Sequence, residues 1–339
     1  MKRIHLSVVL SGVLSLGVGC QPEEAPRSVE GVSGVQATAL TTVAGSWSRS
    51  TSPGAFIQPD TATVLDSGEV LVVSGSRSVL YNPYSDSWYG KTTTPLSDNN
   101  APWTTHGHST TRLANGKVLI AGGQNFNPQE YYKPYDYRAY LYDPETNTYT
   151  RTGDMEDRRG HHTSLLLSSG KVLVLGGDSY YGIPYITNAS EIYDPATGTW
   201  SQAAEDLEFR VGSTATELNS GQVLVAGGLF PFLSSDPVAT VTFYNPATDS
   251  WTRGPSLPHA REGHHALRLY SGQVMVLGGS NGGDTSVDLY NPYSEQWVAG
   301  PALPIPGPYK TATMLYSGEV VVINAHGQSV VYSPDSNTW

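Results

Sequence analysis

The chain has 339 residues, of which only 14% are charged, and its formal net charge is −11 at pH 7. An acidic chain has no basic surplus to replace the counterions of nucleic acid, which excludes nucleic acid as a partner. The single cysteine excludes disulfides within the monomer.

The first twenty residues have the pattern of a secretory signal peptide. Lys2 and Arg3 precede an apolar segment too short to span a membrane comfortably, and the segment ends in small residues and Cys20. This ending resembles a bacterial lipoprotein signal, in which the cysteine carries lipid; ordinary cleavage nearby is the alternative. Because Gln21 rather than Asp follows Cys20, the resemblance implies export across the inner membrane and lipid anchoring to the outer membrane or cell surface.

The rest of the chain divides into two parts. Residues 21–43 lack an apolar period and predict a flexible linker. Residues 44–339 are long enough to bury a core, and they show no strong amphipathic helix pattern. They therefore predict an all-β domain.

This domain repeats one pattern six times. Each copy has a Ser-Gly or Asn-Gly pair, an apolar run, a Tyr with a Pro two residues later, and a closing aromatic residue. The glycines of the pairs are Gly68, Gly116, Gly170, Gly221, Gly272 and Gly318. A period of about 50 residues is typical of a propeller or a solenoid.

The third copy, residues 160–200, predicts four strands called a to d. Strand a ends at Gly170, which supplies the positive φ of a tight hairpin. Strand b is apolar almost throughout, which is typical of a strand covered on both faces. Strand c ends at Pro195, and strand d places Trp200 between sheets. One such sheet cannot bury both faces alone, whereas six packed radially can.

Gly-Gly doublets at the end of strand b, followed by a spaced Tyr and Trp, resemble the mark of the kelch-repeat family. The doublets are Gly122-Gly123, Gly176-Gly177, Gly227-Gly228 and Gly278-Gly279. The resemblance implies a six-bladed kelch-type β-propeller of four-stranded antiparallel blades, and it does not imply one activity. A further strand-like segment around Trp47 is predicted to pair into the last blade and close the ring; the alternative is that the C-terminal segment ending at Trp339 takes the outer position of that blade.

Strand direction predicts two different faces of the disc. The b–c loops and d–a segments share one face, the loop face, and the a–b hairpins and c–d turns share the other, the turn face. All the unusual length and chemistry falls on the loop face, where the b–c loops of blades 2 to 4 are long and aromatic. Aromatic loops suit sugar rings or a peptide anchor; the alternative is that the rings pack together to order the loops. The predicted ligand contacts are Tyr131, Tyr132, Tyr135, Tyr180, Tyr181, Tyr185, Phe230 and Phe232.

Arginines and histidines precede or begin strand a in several copies, and both patterns resemble the kelch consensus. The histidines are predicted to surround one mouth of the central channel, and the arginines to hold an anionic group of a peptide or acidic sugar. The alternative is that they satisfy backbone carbonyls. No metal is expected, since successive strand side chains point to opposite faces, and His108, His162 and His264 come from different blades that would have to converge on one ion. These further predicted contacts are Arg159, Arg210, Arg261, His108, His162 and His264.

Together the patterns favour a binding module over an enzyme. The sequence has no Gly-x-Ser-x-Gly elbow, phosphate loop or His-Glu-x-x-His motif, so no catalytic residue or cofactor is predicted. The expected protein is a monomeric, surface-anchored propeller that binds a glycan or protein at the cell envelope and touches the membrane only through its lipid. The alternative is a carbohydrate-active propeller: an epimerase, a mutarotase or a galactose-oxidase-like enzyme. The copper-radical site of galactose oxidase needs a Tyr crosslinked to a Cys, and the one cysteine here is Cys20 at the predicted lipid site, so a galactose-oxidase-like enzyme is expected only without that radical site.

Overall fold

A computed structural model describes residues 60–75, 77–94, 105–125, 135–180, 184–230, 236–279 and 285–339. The predicted signal peptide with Cys20, the linker 21–43, the domain start at residue 44 and the strand around Trp47 lie outside the described residues. Within the described ranges the chain forms strands and no helix, which confirms the all-β prediction. Those ranges accordingly contain no helix long and apolar enough to cross a bilayer.

The strands follow one another as antiparallel sheets along the chain. Blade 1 contains β1 (Thr61–Val64), β2 (Val70–Ser74), β3 (Arg77–Asn82) and β4 (Ser87–Thr93). Blade 2 and a short ribbon contain β5 (Thr105–His106), β6 (Ser109–Arg112), β7 (Val118–Ala121), β8 (Gln124–Asn125), β9 (Ala139–Asp143) and β10 (Thr148–Arg151). Blade 3 and its ribbon contain β11 (Thr163–Leu166), β12 (Val172–Leu175), β13 (Asp178–Tyr180), β14 (Pro184–Ile186), β15 (Ser190–Asp194) and β16 (Thr199–Ala203).

The second half of the chain continues the series. Blade 4 contains β17 (Thr214–Glu217), β18 (Val223–Ala226), β19 (Val241–Asn245) and β20 (Ser250–Arg253). Blade 5 contains β21 (His265–Arg268), β22 (Val274–Leu277), β23 (Val287–Asn291) and β24 (Gln296–Ala299). Blade 6 contains β25 (Tyr309–Met314), β26 (Val320–Asn324) and β27 (Ser329–Tyr332), and a bridge between Ser333 and Thr338 stands at the position of its d strand.

The predicted six-bladed propeller is confirmed. In each of blades 1 to 5 the four strands pair in the order a, b, c, d. The inner strands contact one another in the sequence β1, β6, β11, β17, β21 and β25, which places them around the central channel. The b strands form the core: every residue of β7, β12, β18 and β22 is buried. Their apolar side chains pack against the neighbouring blade, as Val172 and Val174 do against Leu119 and Ala121.

The c–d turn is built from the repeated Tyr and Trp. Tyr81 lies directly opposite Trp88 across strands c and d, with the ring centroids 4.8 Å apart. Its hydroxyl donates to Oδ1 of Asp86 at 2.9 Å, and Asp86 adopts the left-handed backbone conformation (φ 47°) that Asn and Asp tolerate best among non-glycine residues. Trp200 in blade 3 donates its indole N–H to the carbonyl oxygen of Gly153 at 2.7 Å. This bond ties the d strand to the segment that leaves the preceding blade.

Candidate functional site on the loop face

The eight aromatic residues predicted to bind ligand are unequally placed. Outside the described residues lie Tyr131, Tyr132, Tyr181 and Phe232. Tyr180 and Tyr185 belong to β13 and β14, which pair as a ribbon after strand b of blade 3. Phe230 follows strand b of blade 4 and is half-buried. Ligand binding by these seven residues stays a prediction.

Tyr135, the eighth of the predicted residues, is covered by protein. Its side chain is buried, and its ring lies on Gly160, 3.1 Å from where a Cβ would stand. The hydroxyl donates to Oδ2 of Asp178 at 2.8 Å. Burial, reinforced by the hydrogen bond to Asp178, raises the pKa of the phenol. In this arrangement Tyr135 holds Asp178 in place.

The three predicted arginines are fully buried inside the blades. Nη1 of Arg159 donates to the carbonyl oxygens of Gly176 (3.1 Å) and Ala189 (2.8 Å). These carbonyls flank the b–c loop, and Arg210 and Arg261 donate to the corresponding two positions of blades 4 and 5. Each arginine thus bridges strands b and c beside the Gly-Gly doublet. This arrangement favours the alternative that the arginines satisfy backbone carbonyls, and their role in binding a ligand stays a prediction.

A buried carboxylate accompanies the arginine in blades 3 and 5. Nη2 of Arg159 donates to Oε1 of Glu191 at 2.7 Å, and Nη2 of Arg261 donates to Oδ2 of Asp288 at 2.5 Å. Glu191 and Asp288 occupy the same place, the second residue of strand c. Both carboxylates are almost completely buried, and the arginine supplies the closest positive charge to offset the loss of hydration; Glu191 also accepts hydrogen bonds from the backbone N–H groups of Glu156 and Asp157.

In blade 4 a different residue supplies the buried carboxylate beside the arginine. The second strand-c residue of this blade is Thr242, and Arg210 is paired instead with Asp206, four residues earlier in the chain, with Nε and Oδ2 3.2 Å apart. Burial raises the pKa of Asp206, and the positive charge of Arg210 opposes that shift. The positions that correspond to Asp206 in blades 3 and 5 hold the buried apolar residues Met155 and Leu257. Each of these blades therefore buries one carboxylate close to its arginine, from one of two positions.

The three predicted histidines connect neighbouring inner strands. Each is buried at the start of strand a, with Nε2 hydrogen-bonded to a hydroxyl of the preceding blade. The pairs are His108 with Thr61 (3.0 Å), His162 with Ser109 (2.8 Å) and His264 with Thr214 (2.8 Å). Burial lowers the pKa of His264 to about 3 and holds the pKa of His162 well below its ordinary value. Both are therefore neutral at pH 7, and a ligand role for these histidines stays a prediction.

Five polar residues of blades 1 to 3 form a separate group, here called the mouth cluster. Nδ1 of His161 lies 3.0 Å from Oδ1 of Asp178, and Nδ1 of His106 lies 2.7 Å from Oδ1 of Asp60. Tyr135, hydrogen-bonded to Asp178, completes the cluster. Asp178 and Asp60 both raise the pKa of His161, whose side chain is 45% exposed. The described residues contain no group of three or more His, Cys, Asp or Glu arranged to hold a metal ion.

His161 has a strained backbone. Its φ of 49° lies in the left-handed region, which costs a non-glycine residue about 1–2 kcal/mol. A hydrogen bond from its N–H to the carbonyl oxygen of Gly107 (2.8 Å) holds this conformation across two blades. Gly107 has a positive φ of 70°, and a Cβ there would stand 2.8 Å from the imidazole ring, so a larger residue would displace the ring of His161. Strain of this kind is concentrated at functional sites.

Sequence reasoning did not include His106 or His161 among the predicted contacts, and it also missed two exposed apolar side chains. Leu207 and Phe209, in the d–a segment of blade 4, are 44% and 40% exposed. The sequence did contain a signal for them, since both apolar residues lie just before Arg210 in the loop-face segment and outside any predicted strand. The loop face thus carries both a polar cluster and exposed apolar area.

Replacing Asp178 by Asn is expected to lower the pKa of His161 toward or below its ordinary value, since the largest cause of the raised pKa is the hydrogen bond to Asp178. NMR titration of the imidazole resonances measures this directly. Tyr135→Phe is the matched control, because it removes a bond to Asp178 but leaves the carboxylate beside His161. An unchanged pKa in Asp178→Asn would mean that the pair does not form in solution.

Comparison with known proteins supports the resemblance of the repeats. Residues 108–156, which include blade 2, match the family model described as Kelch motif. The chain is 27% identical over 239 residues to Kelch-like protein terF of Aspergillus terreus, a match that covers 65% of this chain and 49% of that protein. It is 34% identical over 146 residues to Kelch domain-containing protein 8B of Rattus norvegicus, covering 41% and 40% respectively. The chain spans about half the length of these relatives or less.

Solved structures share the fold at low sequence identity. The structure of YjhT superposes with a TM-score of 0.58 at 14% identity, covering 77% of this chain and 89% of that one. A fungal alcohol oxidase of the AA5 family, in complex with copper, superposes with a TM-score of 0.50 at 15% identity, covering 77% and 68%. At these identities the likeness concerns the fold alone.

Proposed function

We propose that this six-bladed propeller with a Kelch motif is a binding module that recognises a protein or glycan ligand through its loop face. The observation that carries the proposal is the mouth cluster, where Asp178 orients a partly exposed and strained His161. A propeller is a rigid scaffold, and loops held by such a scaffold are where recognition is expected.

The loop face offers two kinds of contact to a ligand. With Nδ1 directed at Asp178, Nε2 of His161 is the nitrogen that can bond a ligand carbonyl, hydroxyl or carboxylate. Leu207 and Phe209 add exposed apolar area on the same face. A ligand with alternating polar and apolar surface, such as a peptide or a sugar ring, suits this combination. Lipid on Cys20 and the linker 21–43 would hold the disc at the cell envelope, which is part of the proposal.

Binding of the full chain to a glycan array and to an envelope extract tests the proposal with two loop-face variants. His161→Asn removes the imidazole while keeping a residue that tolerates the left-handed backbone. The double variant Leu207→Ser/Phe209→Ser removes the apolar contacts. We expect at least one of the two variants to weaken the selected ligand by about tenfold or more. Ala247→Ser, at an exposed position in the c–d turn of blade 4, is the control and is expected to bind that ligand normally.

Two outcomes would favour a different binding face or a different function. Unchanged affinity in both loop-face variants removes this face from consideration. Turnover of a bound sugar that disappears in His161→Asn supports the carbohydrate-active alternative, because two His–carboxylate pairs are able to exchange protons with a sugar hydroxyl.

A further inference from the structure

The turn face carries an unexpected concentration of exposed tyrosines. Four of them are 66% to 97% exposed and form what is here called the tyrosine patch: Tyr84, Tyr270, Tyr293 and Tyr316. Tyr270 and Tyr316 stand in the a–b hairpins of blades 5 and 6, and Tyr84 and Tyr293 stand in the c–d turns of blades 1 and 5. Blades 5, 6 and 1 are consecutive in a six-bladed ring. In blades 2 to 4 the same turn positions hold Ala114, Ser168, Asn219, Glu145, Ala196 and Ala247.

Packing within the fold does not require Tyr316. In three places the side chain before a hairpin Ser-Gly pair lies over the hairpin glycine of the next blade, as Asn219 does over Gly272, whereas Gly170 and Gly221 have no such neighbour among the described residues. Tyr270 follows this arrangement, since its ring lies 3.1 Å from where a Cβ of Gly318 would stand.

The next glycine in the ring is covered from another direction. The hydroxyl of Tyr84, from the c–d turn of blade 1, lies 2.9 Å from the Cβ position of Gly68. The place that Tyr316 would take is therefore occupied, and its side chain remains 97% exposed. A large aromatic side chain that adds nothing to the core points to a role outside the fold.

The patch lies on an acidic half of the turn face. The turns of blades 1, 5 and 6 contain no Lys or Arg, and their carboxylates are Asp66, Glu69, Asp86, Glu295, Glu319 and Asp335. In blades 2 and 3, by contrast, a lysine neutralises the turn carboxylate: Lys117 lies 3.0 Å from Asp143, and Lys171 lies 3.0 Å from Asp194.

Some carboxylates of this half already form an ion pair or hydrogen bonds within the protein. Asp66 is paired with Arg112 of blade 2, and Glu69 accepts hydrogen bonds from Asn82 and Tyr89. Glu319 accepts a bond only from the hydroxyl of the nearby Ser317 among the described residues, and it stands at the strand position that the lysines occupy in blades 2 and 3. Charge next to the tyrosines is thus negative, with Glu295 and Asp335 exposed and Glu319 half-buried.

We propose that the tyrosine patch, together with Glu295 and Glu319, docks a lysine- or arginine-bearing segment of a protein partner. A cation placed over a Tyr ring is attracted by the ring face, and carboxylates beside the ring add charge complementarity. An anionic partner would be repelled by the same carboxylates, and a purely apolar partner would bury them without a counter-charge. The site is on the face opposite the mouth cluster and is independent of the loop-face function.

A fluorescein-labelled oligo-arginine peptide is the probe, and its binding to the full chain is measured by anisotropy. Tyr293→Ser/Tyr316→Ser keeps the net charge and removes the two most exposed rings. We expect this variant to bind the peptide about tenfold more weakly, and Glu295→Gln/Glu319→Gln to weaken it as well. Leu207→Ser/Phe209→Ser, on the loop face, is the matched control and is expected to bind the peptide normally.

The two faces are distinguished by these variants. Equal binding of the peptide to the tyrosine variant would show attraction by net charge alone and overturn the proposal. Tyrosine-dependent binding of neutral dextran without tyrosine-dependent binding of the peptide would also overturn it, in favour of a sugar site. Thermal unfolding of each variant verifies that the fold is intact. Neither Tyr293 nor Tyr316 belongs to the core cluster of blades 5 and 6, so we expect the melting temperature to change little.

Discussion

Arg159→Met is expected to lower the free energy of unfolding by about 3–5 kcal/mol, because it removes one partner of a buried ion pair. Glu191 is 1% exposed and would lose its closest counter-charge, while the carbonyls of Gly176 and Ala189 would lose their shared donor. Urea unfolding measures the loss. Arg253→Met is the control, since Arg253 forms an exposed pair with Glu208 and such pairs contribute only about 0–1 kcal/mol.

Blade 4 supplies a rescue for the same ion pair. Glu191→Thr alone is expected to destabilise blade 3, because the charge of Arg159 loses its closest carboxylate. Adding Met155→Asp recreates the arrangement of Asp206 and Thr242 around Arg210 and is expected to recover much of the loss. If the double variant is no more stable than Glu191→Thr, the two positions are not interchangeable and the equivalence between the blades is wrong.

Acidification is expected to destabilise the propeller through its buried histidines, by about 2 kcal/mol at pH 5 from His264 alone. The unfolded chain binds a proton at the ordinary histidine pKa of 6.5, whereas the folded chain resists protonation of His264 until about pH 3. The stabilising contribution is therefore complete above pH 6.5 and is lost as the pH falls from 6.5 toward 3. His162, whose pKa is also lowered, acts in the same direction.

Urea unfolding at pH 7.5 and pH 5 measures this loss. His264→Gln keeps a side chain that can hydrogen-bond the hydroxyl of Thr214 and cannot take up a proton, so the drop in stability between the two pH values should be smaller by about 2 kcal/mol. His161 provides the opposite control, because its raised pKa stabilises the folded chain at low pH. His161→Asn is therefore expected to steepen the loss. Identical pH dependence in His264→Gln and the unsubstituted chain would contradict the buried, neutral state of His264.

The blades followed from signals that lie close together in the chain. Gly170 has the positive φ (81°) that the Ser-Gly pair predicts, and every residue of the apolar run β12 is buried. Tyr193 and Trp200 are paired directly across strands c and d, as their spacing in each repeat indicates. Such signals are readable because a hairpin or a strand is stabilised by residues a few positions apart.

The roles of the polar side chains did not follow from the same signals. Arg159 was expected to contact an anionic ligand, but its guanidinium is hydrogen-bonded to Gly176, Ala189 and Glu191. In blade 4 the paired carboxylate is Asp206 rather than a residue of strand c, so the arginine–carboxylate pair does not recur at one fixed position of the repeat. All the unusual chemistry was expected on the loop face, yet the turn face carries the exposed Tyr316.

Periodicity, turn residues and the Gly-Gly doublets were sufficient to predict the number and architecture of the blades, since each repeat contains the residues that form its own strands and turns. Which arginine, histidine or tyrosine is buried and which is exposed was decided only by the assembled ring. His162 bonds to Ser109, a residue of the preceding blade 53 positions away in the chain. A polar side chain takes its role from the neighbours that packing brings to it and from the water that packing removes, and neither is encoded within a single repeat.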